Sequence, residues 1–465
     1  MADNTIKLPH DFCARIEATH PADHAEFLAA IGREPYLSVR LNRHKWQDGM
    51  LTLGEPVPWN ADGFYLNDRP AFTLNPAFHA GAFYVQEASS MAYAVAINQI
   101  KDLLPQSPTC LDLCAAPGGK TTLMLSMLGE RGIVVANEYV RQRAWILREN
   151  VAKWGCPSAI VTNRAAGEIG ASGAQFDLIT VDAPCSGEGM FRKDETAIAE
   201  WSTKAAADCA QRQRDILTDI WPALRPGGFM IYSTCTFNPD ENERNMEWLV
   251  EEFGAEVVPI GMAADCGIST VSFNGGEGYA FLPHKVKGEG FFCCLVRKSA
   301  DGAYAPPTPP KRSKQKDGAK DTIRETALGR EFVSGCKTYA LADAVVGFPA
   351  DRATRMAALT SALSPILTGV PVCSVLKKRD KEIVSPAPEL PLSMAFNPTS
   401  LPRLDVGTQT ALKFLHGDAD LDVGDAPDGW NAVWHEGLPL GLIKRMANRQ
   451  NNYWPKEWRI RMNIS

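Results

Sequence analysis

The sequence predicts an α/β protein whose central part is a doubly wound parallel sheet. From Cys110 to Lys298, short apolar, β-branched runs alternate with stretches of helical periodicity. Within them, Leu111-Asp112-Leu113-Cys114-Ala115-Ala116-Pro117-Gly118-Gly119-Lys120 reads as a strand, a small-residue turn and the start of a helix. Two later strands each end in a cysteine, in Val181-Asp182-Ala183-Pro184-Cys185-Ser186-Gly187 and Tyr232-Ser233-Thr234-Cys235-Thr236.

The elements follow in order. Asp11–Ile31 reads as helical, and Tyr36–Leu41 alternates like a strand. Tyr84–Met91 leads into an Ala-rich helix. Core strands are expected at Cys110–Leu113, Ile133–Asn137, Ala159–Thr162, Phe176–Val181 and Phe229–Ser233, with Phe291–Val296 as an edge strand. Helices are expected at Thr121–Leu128, Arg141–Trp154, Glu200–Leu224 and Pro239–Glu252. Asn238 suits the cap of the last, Pro239 its first turn, and Asp240, Glu241 and Glu243 its positive end. Ala305–Lys320 is Pro-rich then Lys-rich, which reads as an extended linker or a basic tether. The last segment interleaves Lys444, Arg445, Arg449, Lys456, Arg459 and Arg461 with Tyr453, Trp454 and Trp458. That pattern suits a polyanion with stackable bases, and suits equally a Trp-rich core rimmed by cations.

At 465 residues the chain is long enough for two to four domains. The first residues lack the basic-then-apolar pattern of a secretory leader, and no window approaches the ~18 apolar residues of a membrane span. A cytoplasmic protein without membrane contact is expected. The 12 cysteines include no CxxC pair, so most read as free, buried thiols. No Cys/His cluster has metal-ligand spacing; His20 and His24 lack partners, and no metal is expected. The net charge of −6 argues weakly against bulk nucleic-acid binding and says little about a local patch.

Gly118 and Gly119 permit a tight turn and close backbone approach by a ligand, and the next helix offers its N-terminus. There is no GxGxxG. Glu138 ends the second strand about 20 residues beyond the turn, where an acid accepts hydrogen bonds from ribose hydroxyls. A nucleoside-type cofactor fits this pattern; a helix-capping Glu138 also accounts for the acid. Ligands bind open parallel sheets at strand carboxyl ends, where Asp182, Cys185 and Cys235 stand. A thiolate adds to an electron-poor ring carbon. Added at carbon-6 of a pyrimidine, it makes carbon-5 able to attack an activated methyl group. Asp182 is placed to hydrogen-bond the ring nitrogen or exocyclic amine. The base has to be flipped out or single-stranded.

These residues resemble the NOL1/NOP2/Sun family of RNA 5-methylcytosine methyltransferases, through Tyr84–Met91, Leu111–Thr122, Val135–Glu138, Val181–Asp194 and Leu224–Glu243. The resemblance implies a Rossmann-like class I core that uses S-adenosylmethionine. It implies that Cys235 is the nucleophile, that Cys185 assists product release, that Asp182 sits between cofactor and base, and that Lys193 lies near the site. It further implies that Cys114, Ala115, Ala116, Pro117, Gly118, Gly119 and Lys120 cradle the methionine part and that Glu138 holds the ribose. The family's usual acid after the third strand is missing from Val161-Thr162-Asn163-Arg164-Ala165, leaving Asn163 as a neutral substitute beside the adenine.

Gly437–Gly441, Lys444-Arg445 and Tyr453–Glu457 are similar to the PUA-like RNA-binding domain of bacterial small-subunit rRNA members of the family. That likeness implies a cytosine in the decoding region of 16S rRNA, in the assembled subunit, as substrate, and an enzyme expected to be monomeric. The implied organisation is an RNA-positioning α/β domain (1–95), a methyltransferase core (96–300), a linker (301–321), an accessory domain (322–390) and a PUA-like β domain (391–465). Arg40, Asn42 and Arg43 stand as candidate phosphate contacts, with surface solvation as the alternative. The rival readings are the same chemistry on tRNA, and a non-catalytic RNA-binding assembly factor.

Overall fold

A computed structural model describes residues 7–300, 323–378, 381–447 and 449–464. The expected linker, 301–321, lies outside the described residues.

The N-terminal region holds helices α1 (His10–Thr19) and α2 (His24–Ile31) and a small sheet of β1 (Leu37–Leu41), β2 (Gly63–Leu66) and β3 (Phe83–Val85), with the short helix α3 (Pro76–His79). The single helix expected over Asp11–Ile31 is broken. Pro21 stands in the break, and Asp23 is held by His284 Nε2 at 3.0 Å and Lys285 Nζ at 2.8 Å, which pins the turn to the core.

The core follows as α4 (Tyr93–Ile100), β4 (Thr109–Asp112), α5 (Gly119–Leu128), β5 (Ile133–Asn137), α6 (Arg141–Trp154), β6 (Ala159–Thr162), α7 (Ala166–Gly170) and β7 (Phe176–Asp182). It continues with α8 (Glu195–Glu200), α9 (Thr203–Ile220), β8 (Leu224–Thr234), α10 (Glu243–Phe253), β9 (Glu256–Val257), β10 (Ser269–Phe273), β11 (Gly276–Phe281) and β12 (Phe291–Arg297). The sheet runs β10-β11-β12-β8-β7-β4-β5-β6, and β4 to β8 pair in parallel. The chain winds outward from β4 to β6, then returns to β7 and β8 on the other side. The crevice beside β4 and β7 is therefore the topological switch point where such sheets bind ligands.

Three expectations are corrected here. Phe291–Arg297 is an interior strand, because the β10–β11 hairpin pairs beyond it and β8 pairs on its other side. The helix expected over Glu200–Leu224 is shorter, α9 running from Thr203 to Ile220 with Ser202 capping it by accepting from Ala205 N at 3.1 Å, while Glu200 ends the separate helix α8. The helix expected from Pro239 starts at Glu243, because the side chains of Glu241 and Asn242 turn back to the loops beside Cys185 and Cys235. Asn238 instead accepts from Asp240 N within that turn.

Beyond the linker stand β13 (Arg324–Thr326), β14 (Cys336–Leu341), β15 (Ala344–Pro349), α11 (Ala353–Leu363), β16 (Leu367–Thr368), β17 (Val370–Lys378) and β18 (Lys381–Pro386). Strand β16 pairs antiparallel with β6, so this unit extends the core sheet. The last unit comprises β19 (Arg403–Asp405), α12 (Thr408–His416), β20 (Gly429–His435), β21 (Leu438–Met446) and β22 (Arg449–Asn452).

Trp454 and Trp458 are buried in a cluster shared with Val39, Leu41, Ala77 and Phe83 of the N-terminal region, with Lys153 Nζ 5.9 Å and 5.4 Å from their rings. Of the two readings of the aromatic tail, the core reading holds for these tryptophans, and base stacking by them is excluded by burial. Trp454→Ala is expected to destabilise the chain by about 3–5 kcal/mol, read as a lowered thermal midpoint with loss of resistance to proteolysis at the joint of the first and last units.

Candidate active site

The site is built from the carboxyl ends of β4, β7 and β8. After β4, the chain turns through Cys114–Gly118 into α5. Asn137 Nδ2 donates to Leu113 O at 3.1 Å, Arg143 to Ala116 O at 2.8 Å and Asn150 Nδ2 to Pro117 O at 2.8 Å. Gly118 has φ +119°, a left-handed conformation that a side chain rarely adopts. Gly119 opens α5 beside Tyr84 and Gln86, 3.4 Å from where its Cβ would stand. Beneath it, burial raises the Asp112 carboxyl to about 6, although Thr121 Oγ1 donates to it at 2.6 Å.

Asp182 accepts from Ser233 Oγ at 2.7 Å through one oxygen and from Lys120 Nζ at 2.8 Å through the other. Ser233 Oγ is in turn 2.9 Å from Tyr93 OH. Burial disfavours the charge on Lys120, but Asp182 outweighs it and raises that pKa. The ammonium also lies 5.3 Å from the Phe291 ring centre.

Cys185 Sγ and Cys235 Sγ are 3.3 Å apart, delivered by the loops after two adjacent parallel strands. The hydrogen bond with Cys235 and burial raise the Cys185 thiol well above its usual value. Both loops are held from behind. Glu241 accepts from Ser186 N and Gln213 Nε2, each at 2.9 Å. Glu188 accepts from Arg15, from Trp201 Nε1 at 2.9 Å and from Phe237 N at 3.1 Å. Gly189 N donates to Cys235 O at 2.8 Å, and a Cβ there would come within 2.7 Å of that oxygen.

A cavity of about 340 Å³ joins these parts. It is lined by Cys114, Ala115, Ala116, Pro117, Gly119, Lys120, Asp182, Lys193 and Cys235 among the expected residues. Gly118, Glu138, Asn163 and Cys185 stand outside its lining. Glu138 is buried, accepts from Val140 N at 2.8 Å and pairs with Arg143 at 3.5 Å. These contacts stand at the start of α6, beside the cavity. Asn163 spends its amide hydrogens on Glu138 O and Tyr139 O, at 2.7 and 2.8 Å. A larger open groove of about 720 Å³ lies in the last unit, between Lys413, Asp420, Arg445 and Gln450, and includes none of these residues.

The rest of the cavity wall, which includes Tyr84, Gln86, Glu87, Met190, Glu289 and Phe291, is new. Tyr84–Ser90 lie inside a motif segment, but no composition or spacing marks Glu289 or Phe291. Burial raises the Glu289 carboxyl, against the pull of Lys193 and Arg192.

The phosphate contacts expected of Arg40 and Asn42 are corrected. Each is about 1% exposed. Arg40 donates to Gln86 Oε1 at 2.8 Å and lies 4.5 Å from the Trp154 ring, while Asn42 donates to Gly81 O and Trp154 O. They bind the first unit to the core. Arg43 is exposed and pairs with Asp62. Among the described residues no group of three or more His, Cys, Asp or Glu is placed to hold a metal, and no helix is long and apolar enough to cross a membrane.

Residues 102–297 match the family described as 16S rRNA methyltransferase RsmB/F. Residues 8–88 match the N-terminal domain of 16S rRNA methyltransferase RsmF, and residues 402–460 the methyltransferase RsmF PUA domain. Ribosomal RNA small subunit methyltransferase F of Klebsiella pneumoniae is 31% identical, over 98% of each chain. The chain belongs to the RsmB/F family. The protein of the same name from Vibrio atlanticus is 30% identical over 97% of this chain and 98% of its own. Among solved structures, a methyltransferase homologue from Pyrococcus horikoshii superimposes with a TM-score of 0.54 at 25% identity, over 63% of this chain and 96% of that one. NSun6 from the same organism, solved with an S-adenosylmethionine analogue, gives 0.53 at 19% identity, over 62% and 98%, and bears on the fold alone.

The RsmB/F core is that of a class I methyltransferase, and S-adenosylmethionine is its cofactor. The site fits that group: a glycine turn at a helix N-terminus borders a cavity that also reaches a thiol.

Proposed function

We propose that this chain methylates carbon-5 of a cytosine of 16S rRNA in the assembled small ribosomal subunit, acting in the cytoplasm as a monomer. One observation supports the assignment of roles: Cys235 lines the cavity that the cofactor turn and Asp182 share, and Cys185 stands behind it. Cys235 Sγ forms a bond to carbon-6, and the displaced π electrons leave carbon-5 nucleophilic. S-adenosylmethionine, when bound by the 114–120 turn with Glu138 and Asn163 at its nucleoside end, supplies the electrophilic methyl group. Asp182, with Lys120 on its other oxygen, hydrogen-bonds the base edge and stabilises the adduct. Lys193 reaches the same cavity. Cys185 then assists release: as a thiolate its sulfur takes the carbon-5 proton, the C–H electron pair restores the carbon-5–carbon-6 double bond, and the sulfur–carbon-6 electron pair leaves on Cys235 as its thiolate. The first and last units, packed on each other, present the RNA to this cavity.

The test is methyl transfer from labelled S-adenosylmethionine to unmodified small subunits, naked 16S rRNA and bulk tRNA in parallel, with the modified base identified. Incorporation as 5-methylcytosine in the subunit alone is expected. Incorporation in tRNA with none in the subunit would keep the chemistry and overturn the substrate. No incorporation anywhere, with the RNA still bound, would favour the assembly-factor reading.

A further inference from the structure

Asp182 and Glu87 are acidic groups of the cavity wall whose two oxygens are each engaged. Asp182 takes Ser233 and Lys120; Glu87 caps Ser89 N at 2.8 Å, Ser90 N at 2.9 Å and Glu289 N at 2.9 Å. Glu289, on the same wall, differs. It is 4% exposed, and its Oε1 accepts no hydrogen bond. Lys193 Nζ lies 3.4 Å from that oxygen and Arg192 Nε 3.5 Å from the other, and Arg192 Nε is itself without a hydrogen-bond acceptor. An acceptor left over inside a ligand cavity is a cost unless a ligand supplies the donor.

Its position is fixed from both sides. Glu289 O accepts from Ser89 Oγ at 3.1 Å. The neighbouring Gly290 packs on Gly189, whose Cα a Cβ at 290 would approach to 2.9 Å, and Gly189 N holds Cys235 O. The carboxylate is thus tied to the strand end that delivers the thiol. Lys193 and Arg192 stand on the same carboxyl, so its charge is balanced within the cavity wall.

We infer that Glu289 accepts a hydrogen bond from the exocyclic amine of the target cytosine and so distinguishes it from uracil. Cytosine presents an N–H donor at carbon-4, which carboxylates accept, whereas uracil presents a carbonyl there. Uracil would set lone pair against lone pair in a buried site and leave Oε1 without a hydrogen-bond donor, the condition under which enzymes discriminate most strongly. A backbone phosphate is a poor occupant, since Glu289 offsets the cations beside it. The inference rests on the cytosine-methylating reading above.

Small subunits are reconstituted with cytidine, or with the 2-pyrimidinone ribonucleoside that lacks the exocyclic amine, at the nucleotide the methylation assay identifies. Single-turnover methyl incorporation is measured for the unaltered chain, Glu289→Ala and Glu289→Gln. Glu289→Ala is expected to lose roughly 10- to 100-fold on cytidine, Glu289→Gln less because its amide oxygen still accepts but without charge, and both to lose much less on pyrimidinone. Equal losses on both bases would overturn the inference and leave Glu289 a structural partner of Lys193 and Arg192. The Gln variant, close in shape, covers the case in which the Ala variant fails to fold. No transfer by the unaltered chain to either base would overturn the functional reading itself.

Discussion

Cys235→Ala is expected to abolish methyl transfer, and Cys185→Ala to accumulate an RNA–protein adduct that survives denaturation. The two thiols are 3.3 Å apart, yet their surroundings differ. Cys235 opens on the cavity, whereas Cys185 stands outside its lining, its thiol raised by the hydrogen bond with Cys235 and by burial. Losing the sulfur that bonds carbon-6 removes the route itself, and a fall on the order of 10³-fold or more in kcat is expected. Losing the second sulfur leaves addition intact and slows release. The measurement is labelled methyl transfer beside a denaturing gel of protein crosslinked to RNA. Transfer surviving in Cys235→Ala would remove it as nucleophile, and Cys185→Ala without trapped adduct would remove its release role.

Asp182→Asn is expected to lower kcat/KM by about 10²-fold or more. The amide keeps the shape and can still accept from Ser233, but it no longer balances Lys120. In the unaltered chain the raised Lys120 favours folding below pH 10.5 and ceases to do so as pH rises through its folded value. With Asp182 neutralised, burial acts on Lys120 with far less opposition and pulls its pKa down. The unfolded chain then binds more protons than the folded one, so stability of the variant rises with pH. The melting temperature of Asp182→Asn is therefore expected to fall furthest below that of the unaltered chain at neutral pH and to recover toward pH 10. A constant difference across that range would show that Asp182 does not govern the charge on Lys120. Unchanged kcat/KM would exclude it from the chemistry.

Much of the site was legible because it is contiguous. Strand, turn and loop place Cys114–Lys120, Asp182–Cys185 and Ser233–Cys235 at neighbouring strand ends, and the strand bounds fall within a few residues of those expected. Ile133–Asn137 and Arg141–Trp154 agree at both ends, because an apolar run and an amphipathic period mark them. Helix starts were less legible. A cap rule at Asn238 lost to Glu241 and Asn242, whose side chains are drawn to the thiol loops.

What the sequence by itself determined is the core strands, the glycine turn and a cysteine at each of two strand ends, since each is written in residues adjacent along the chain. Only the tertiary structure decided the roles that depend on distant partners. Arg40 looks like a surface cation until Trp154 and Gln86 enclose it. Trp454 looks ready to stack on a base until the N-terminal region covers it. Glu289 carries no signal until the packing of Gly290 on Gly189 brings it to the cavity. Burial and pairing belong to two segments at once, and no local pattern in either one encodes which segment the other will meet.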